Sequence, residues 1–159
     1  MGTSAPLDRG LHRRLVDGLY VEAMVMADEA RSYFDAGTLP DDLGDDPLQR
    51  VAFACESLKV TTRLMHVIAW LLGQRAWQRG EIGNAEASGE KYRLGAAAES
   101  DAALIAAFPF AARSLVEASQ ELYERVARLQ ERMDMMLNPD AGERKSPARA
   151  LMDRLSTSF

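Results

Sequence analysis

Residues 46–77, DPLQRVAFACESLKVTTRLMHVIAWLLGQRAW, decide the fold. Asp46 can accept a hydrogen bond from a free backbone N–H at the start of a helix, and Pro47 suits the first helical position, which needs no donor. Gln49 has the spacing of a capping box with Asp46. No proline follows before Gly80. The stretch therefore predicts a helix of about 33 residues and roughly 50 Å.

The predicted helix has two apolar faces when its residues are placed at intervals of 100°. The first face consists of Val51, Ala54, Leu58, Met65, Ile68, Leu72 and Ala76. The second consists of Phe53, Val60, Leu64, Val67 and Leu71. Because a helix in a three-helix bundle packs against two neighbours, both faces are predicted to be buried.

A third face, the tryptophan stripe, carries both tryptophans of the chain. It consists of Lys59, Arg63, His66, Trp70, Gly73 and Trp77, at steps of three and four residues. Trp and Arg are enriched in binding hot spots, so one interpretation is an exterior surface that binds a partner or a second copy. Its candidate partner-binding residues are Lys59, Arg63, His66, Trp70 and Trp77. In the other interpretation, residues 80–107 fold back and cover the tryptophans, and the sequence leaves both open.

Two further long helices are predicted around this one. The first spans residues 8–36 and ends before Gly37, a residue that favours the left-handed end of a helix. The second spans residues 109–137, and its apolar stripe is Leu115, Ala118, Leu122, Val126, Leu129, Met133 and Met136. Three long helices without strand alternation predict an all-α fold, an antiparallel three-helix bundle.

The remaining segments are shorter or more polar. Residues 85–94 are predicted to form a short extra helical turn between the second and third long helices. On the exposed side of the third helix, opposite charges predict the ion pairs Glu121–Arg125 and Glu124–Arg128. We expect a bundle domain over residues 1–137 and a flexible tail over 138–159. Residues 147–155 could instead form a docking helix, with Leu151, Met152 and Leu155 on one face.

Composition narrows the class of protein. The chain has 159 residues and a net charge of −5, which indicates one domain and argues against a nucleic-acid or anionic-membrane binder. The longest uncharged apolar runs, 64–74 and 102–112, are far shorter than the ~20 residues of a membrane span. The N-terminus lacks a secretory pattern, and the single Cys55 suits a reducing compartment. The expected location is the cytoplasm.

The residues that commonly build catalytic or metal sites are scarce. Two histidines and one cysteine cannot form a Cys/His zinc site, and neither histidine belongs to a Glu-x-x-His pair. We interpret the acidic residues of 41–46 as a solvated loop and helix cap. The sequence therefore predicts no metal, no cofactor and no enzymatic activity. A helical-bundle enzyme that uses Glu22, Glu29 or Glu56 with His66 remains an alternative.

Two stretches resemble the regulator-of-CtrA-degradation (RcdA-like) family of alphaproteobacteria. Residues 51–76, VAFACESLKVTTRLMHVIAWLLGQRA, resemble the central helix of that family, and residues 122–129, LYERVARL, resemble its third helix. The turn at Gly80 and Glu81 lies between them, in the same order. The resemblance implies a three-helix bundle that forms dimers and has a flexible C-terminal tail. No compact binding motif of the family can be placed on this chain, so the resemblance assigns no site residue.

The resemblance also implies a non-enzymatic, protein-binding adaptor role. Members of such a family help to deliver cell-cycle regulators to the ClpXP protease and act together with other adaptors. The partners expected for this chain are therefore a client protein, a protease-linked adaptor and a second copy of itself. A purely structural dimer without a client is the remaining alternative.

Overall fold

The computed structural model describes residues 8–35, 39–137 and 147–157. Its helices are α1 (Arg9–Phe34), α2 (Pro47–Gln78), α3 (Asn84–Ala87), α4 (Ala102–Ile105), α5 (Phe110–Leu137) and α6 (Pro147–Ser156). Short 3-10 turns occupy Asp41–Leu43 and Glu90–Tyr92. The described residues include no strand, and α1, α2 and α5 pack on one another. The predicted all-α three-helix bundle is confirmed, as is short helical structure between its second and third long helices.

Helix α2 begins where the sequence predicts. Oδ1 of Asp46 accepts a hydrogen bond from the backbone N–H of Leu48 at 3.0 Å, and Pro47 is the first helical residue. The capping box is not completed, because Asp46 caps Leu48 rather than Gln49 and the buried Oε1 of Gln49 has no hydrogen-bond partner in the described ranges. The chain leaves the helix through Gly80, whose φ of 74° is strained for other residues.

Helix α1 is slightly shorter than its predicted range of 8–36. Its start is capped by Asp8, whose Oδ1 accepts a hydrogen bond from the backbone N–H of Gly10 at 3.1 Å. At its other end, the backbone N–H of Asp35 donates to the carbonyl oxygen of Arg31 at 2.9 Å. The predicted stop at Gly37 lies outside the described residues.

Helices α1 and α2 run in opposite directions. Asp17, near the start of α1, forms an ion pair with Arg75, near the end of α2, at 3.3 Å. At the opposite end of the pair, the rings of Phe34 and Phe53 lie 5.4 Å apart. The predicted antiparallel arrangement is therefore confirmed for these two helices.

Helices α2 and α5, in contrast, run in the same direction. Phe108, just before α5, packs on Phe53 near the start of α2, and Ser119 further along α5 meets Arg63 further along α2. This differs from the predicted antiparallel arrangement. Its cause is the connection, which returns along the whole length of α2 before α5 begins. We call residues 83–101 of that connection the strap.

The core lies where the three long helices meet, and the second apolar face of α2 is buried in it as predicted. The buried core residues include Val16, Leu19, Ala23, Phe53, Val60, Leu64, Val67, Leu71, Ala112, Val116, Leu122, Val126, Leu129 and Met133. One end of the core is aromatic, with Tyr33, Phe34, Phe53 and Phe108 in a chain of ring contacts. Such ring pairs add stability beyond the area that they bury.

The buried side of α5 is rotated slightly about the helix axis relative to the predicted apolar stripe. Leu122, Val126, Leu129 and Met133 are buried as predicted, while Leu115, Ala118 and Met136 are only half-buried. Val116 and Ser119 are fully buried instead, because α5 packs on α2 as well as on α1. The predicted pair Glu121–Arg125 is also replaced, since Arg125 reaches across to Glu22 of α1 at 2.8 Å.

The C-terminal region contains a further helix. Helix α6 covers the range in which the sequence allows a docking helix, and Leu151, Met152 and Leu155 on it are each more than half exposed. Residues 138–146 lie outside the described residues. The division of the chain into a bundle domain over 1–137 and a flexible tail over 138–159 therefore stays a prediction.

Candidate functional site

The strap covers the tryptophan stripe. Arg63 and Trp70 are 1% and 3% exposed, and Lys59, His66 and Trp77 are half-buried. The interpretation in which residues 80–107 fold back over the tryptophans is therefore confirmed. The alternative premise, that this stripe forms the exterior of the monomer, is wrong because the strap occupies the space beside it.

Arg63 anchors the middle of the strap. Its Nη2 donates hydrogen bonds to the carbonyl oxygen of Ala98 at 2.9 Å and to Oγ of Ser100 at 2.6 Å. Its Nη1 donates to Oγ of Ser119 on α5 at 3.3 Å. Burial lowers the pKa of the Arg63 guanidinium, while the nearby carboxylates of Glu56 and Glu124 oppose that change. One side chain thus joins α2, the strap and α5.

Glu56 completes this polar cluster under the strap. It is 2% exposed, and its carboxylate accepts hydrogen bonds from Nζ of Lys59 at 2.9 Å and from Oγ of Ser100. Lys59 also donates to the carbonyl oxygen of Glu99 at 3.2 Å. A buried carboxylate is tolerated when it is paired and hydrogen-bonded, and here both conditions are met.

Close backbone approach fixes the rest of the strap. A Cβ atom on Gly95 would lie 2.6 Å from Nδ1 of His66, and a Cβ atom on Gly73 would lie 3.1 Å from Cδ1 of Tyr92. From α5, the hydroxyl of Tyr123 donates to the carbonyl oxygen of Gly95 at 2.7 Å. The strap is therefore held between α2 and α5 at a distance that only glycine permits at position 95.

Trp77 lies where the strap begins, beside the start of α1. Its Nε1 donates a hydrogen bond to Oδ1 of Asn84 at 2.8 Å, and the ring of His12 meets it edge-on at 5.9 Å. Nε2 of His12 lies 3.1 Å from Oε1 of Gln74. Burial lowers the pKa of His12, and its hydrogen bond with Gln74 partly opposes this.

The residues considered for a helical-bundle enzyme do not form one group. Glu22 pairs with Arg125, Glu29 is exposed on α1, and Glu56 belongs to the polar cluster under the strap. Within the part of the chain that is described, no hydrogen bond or ion pair joins His66 to any of these carboxylates.

Metal and membrane features are also not found in the described ranges. No group of three or more His, Cys, Asp or Glu residues there could hold a metal ion. In the acidic loop, Asp46 caps α2 and Asp45 lies 3.6 Å from Arg50. None of the helices described is both long enough and apolar enough to cross a membrane.

The face of α2 that the strap leaves open is uncharged. We call it the exposed α2 face, and it consists of Leu48, Val51, Cys55, Leu58, Thr62, Met65, Ala69 and Leu72. Its five largest side chains are 48–79% exposed. The prediction that the first apolar face is buried is therefore wrong for most of its members. Spacing could not have identified this surface, because the same alternation of three- and four-residue steps occurs along the tryptophan stripe.

The comparisons with known proteins agree with this architecture. A family model described as "Protein of unknown function (DUF1465)" matches residues 7–159. The crystal structure of RcdA from Caulobacter crescentus CB15 matches with a TM-score of 0.58 and 34% sequence identity, over 75% of this chain and 90% of that chain. No curated protein matches the chain. The resemblance first seen in residues 51–76 and 122–129 is thus confirmed, and the chain belongs to the DUF1465 family, the family of RcdA-like proteins.

Proposed function

We propose that this protein is a non-enzymatic, cytoplasmic adaptor that binds other proteins and helps to deliver cell-cycle regulators to the ClpXP protease. The likeness to RcdA supports this role. The observation that carries the proposal is the exposed α2 face, because contiguous apolar patches on a protein surface mark interaction sites. The partners are a client, a protease-linked adaptor and a second copy of the chain.

In this proposal, the exposed α2 face binds the same face of a second copy of the chain. From Leu48 to Leu72 it extends over about 36 Å, and its steps of three and four residues suit two helices packed along a shared seam. A two-fold dimer brings the same surface of each copy together. Because no member of this face is charged, the two copies would meet without repulsion along the seam.

The tryptophan stripe contributes to partner binding through the strap. Lys59, Arg63 and His66 hold its inner side, and Trp77 donates a hydrogen bond to its start. Trp70 lines a small cavity together with Ala87 and Ser88 of the strap. The outer side then presents a rigid, charged surface with Glu90, Lys91 and Glu99 exposed. A surface that is already ordered loses little entropy when a partner binds. The stripe residues in this proposal position the binding surface rather than contact the partner.

The mechanism of such an adaptor is tethering. A protein that holds a client and a protease-bound partner at the same time raises the local concentration of the client at the protease. Weak individual contacts are then sufficient. A dimer doubles the number of contacts and strengthens the assembly by the same effect.

The test places a charge in the exposed α2 face. Leu58→Lys should convert the dimer to monomers, as measured by sedimentation equilibrium, because two lysines would face each other across the seam. Val25→Lys on α1 is the matched control, since Val25 is also exposed and apolar but lies outside that face. The delivery role is then measured with a client captured from cell extract, by its rate of degradation in a reconstituted ClpXP reaction.

The expected result is a slower degradation rate with Leu58→Lys and an unchanged rate with Val25→Lys. A dimer that persists in Leu58→Lys would contradict the assignment of this face. A dimer that captures no client and leaves the degradation rate unchanged would support a purely structural dimer instead.

A further inference from the structure

A groove between α1 and α5 concentrates positive charge. It encloses about 450 Å³ and is lined by Arg14, Leu15, Gly18, Leu19, Glu22, Arg125, Arg128, Leu129 and Arg132. Four of these nine residues are arginines, although the chain as a whole has a net charge of −5. Charge of one sign that is gathered in a cleft attracts ligands of the opposite sign.

Most of the arginines in this groove are available to a ligand. Glu22 is the single acid in the lining, and it pairs with Arg125 at 2.8 Å. Arg14, Arg128 and Arg132 are exposed, and none of them has an ion pair or a side-chain hydrogen bond with the described residues. Three guanidinium groups therefore point toward solvent around one opening.

The floor of the groove is apolar. Leu19 and Leu129 are buried there, and Leu15 is 37% exposed at the side. Gly18 leaves open space, because a Cβ atom at that position would have no neighbour within 4 Å. The groove thus combines a cationic rim with an apolar base, which suits a ligand that has both acidic and apolar groups.

We propose that this groove binds an acidic amphipathic segment of a partner protein. Its carboxylates would pair with Arg14, Arg128 and Arg132, and its apolar side chains would pack on Leu15 and Leu129. Helices that lie in grooves are commonly recognised through apolar side chains at helical spacing, and clusters of arginine recognise acidic motifs. The proposal deepens the proposed adaptor function and rests on it for the protein origin of the ligand.

The layout of the arginines favours an extended ligand over a small anion. Arg125 and Arg132 are separated by about 10 Å along the axis of α5, and Arg14 is on the opposite helix. A single phosphate group is bound best by donors that converge on one point. An extended segment can instead meet these arginines one after another and also cover the leucines between them.

Glu22 is a built-in competitor for such a ligand. Its carboxylate already occupies Arg125, and both side chains are about 40% exposed. Glu22→Gln would remove the negative charge while keeping the size and shape of the side chain. This variant should bind an acidic segment more tightly, an effect that partial unfolding cannot produce.

The experiment measures binding of a labelled probe to the full-length chain by fluorescence anisotropy. The probe is an amphipathic peptide with leucines at helical spacing and glutamates at the other positions, and its partner probe has glutamine in place of every glutamate. The double variant Arg128→Gln with Arg132→Gln should weaken binding of the acidic probe by about five- to tenfold. Arg50→Gln with Arg79→Gln, at the two ends of α2, makes the same charge change away from the groove and should leave binding unchanged.

Further outcomes separate the proposal from its alternatives. Tighter binding by Glu22→Gln, and weaker binding of the glutamine probe, would support it. Equal losses in both double arginine variants would overturn it, because binding would then depend on net charge alone. Competition by pyrophosphate with an affinity equal to that of the peptide would overturn it in favour of a small-anion site.

Two measurements on the natural chain, binding of the acidic probe and degradation of the client, distinguish this proposal from the adaptor role. If the acidic probe binds in the groove but the protein has no effect on degradation, the groove assignment stands and the adaptor role fails. If degradation of the client is normal but the acidic probe does not bind, the groove assignment fails alone.

Discussion

Two faces of α2 differ in what covers them. The tryptophan stripe carries charged and aromatic side chains and lies under the strap, whereas the exposed α2 face is uncharged and lies open. Hydrophobicity alone would predict that the uncharged face is buried and that the face with charged side chains is exposed. The comparison shows that a face with charged side chains is buried when those charges find partners there and when a neighbouring segment is long enough to cover it.

Arg63 shows how this condition is met. Its donors reach Ala98, Ser100 and Ser119, so that burial leaves its guanidinium hydrogen-bonded. Among the residues that the structure describes, no comparable neighbour covers Leu58 or Met65 on the opposite face. In our proposal a second copy of the chain supplies that cover. One helix thus holds its own chain on one face and is available for assembly on the other.

The largest expected effect is a difference in the free energy of unfolding between a substitution in the tryptophan stripe and one in the exposed α2 face. Trp70→Ala removes a buried indole and should lower the free energy of unfolding by about 3–5 kcal/mol. Leu72→Ala, two residues later on the exposed α2 face, should cost less than about 1 kcal/mol at concentrations where the chain is monomeric. Urea denaturation of both variants measures the difference. Equal losses would contradict the distinction between the faces.

A smaller effect tests the close contact of the strap with α2. Gly95→Ala would place a Cβ atom against the ring of His66, so the strap or the ring must shift, at a cost of about 1–3 kcal/mol. Gly83→Ala is the control, because open space surrounds that position and its φ of −84° suits alanine. It should leave the free energy of unfolding unchanged or raise it slightly. Denaturation curves in which Gly95→Ala resembles Gly83→Ala would show that the strap is loosely held.

The smallest effect concerns pH and the buried His12 beside the tryptophan stripe. Its pKa is lowered in the folded protein, so the unfolded chain binds the proton first as the pH falls below about 6.5. This contribution to stability is complete above that pH and decreases as the pH falls toward the folded-state pKa. The free energy of unfolding should therefore fall more between about pH 7.5 and pH 5 in the natural chain than in His12→Gln. An identical pH dependence in both proteins would exclude His12 as its source.

Local features of the fold were predictable from the sequence. Asp46 and Pro47 mark the start of α2, and α1 and α5 occupy nearly the predicted ranges. Capping and proline geometry act within one helical turn, so nearby residues are sufficient to identify them. The RcdA-like family was also recognisable from residues 51–76 and 122–129.

The candidate site was harder to predict, because it depends on contacts between distant residues. Ser100 and Ser119 satisfy Arg63 from other segments, and neither position signals this in the sequence. The groove between α1 and α5 likewise requires Arg14 and Arg132 to be on adjacent helices. The tryptophan stripe was recognised as unusual, but its hot-spot composition does not distinguish an interface between proteins from one within a chain.

The order of residues along the chain was enough to specify three long helices, the capped start of α2 and two apolar faces on α2, since these follow from spacing and from interactions over a few residues. It did not specify which faces become buried. That depended on the return of the strap along α2 and on the parallel course of α5, because packing joins residues that are far apart in the chain and every buried charge must find its partners there.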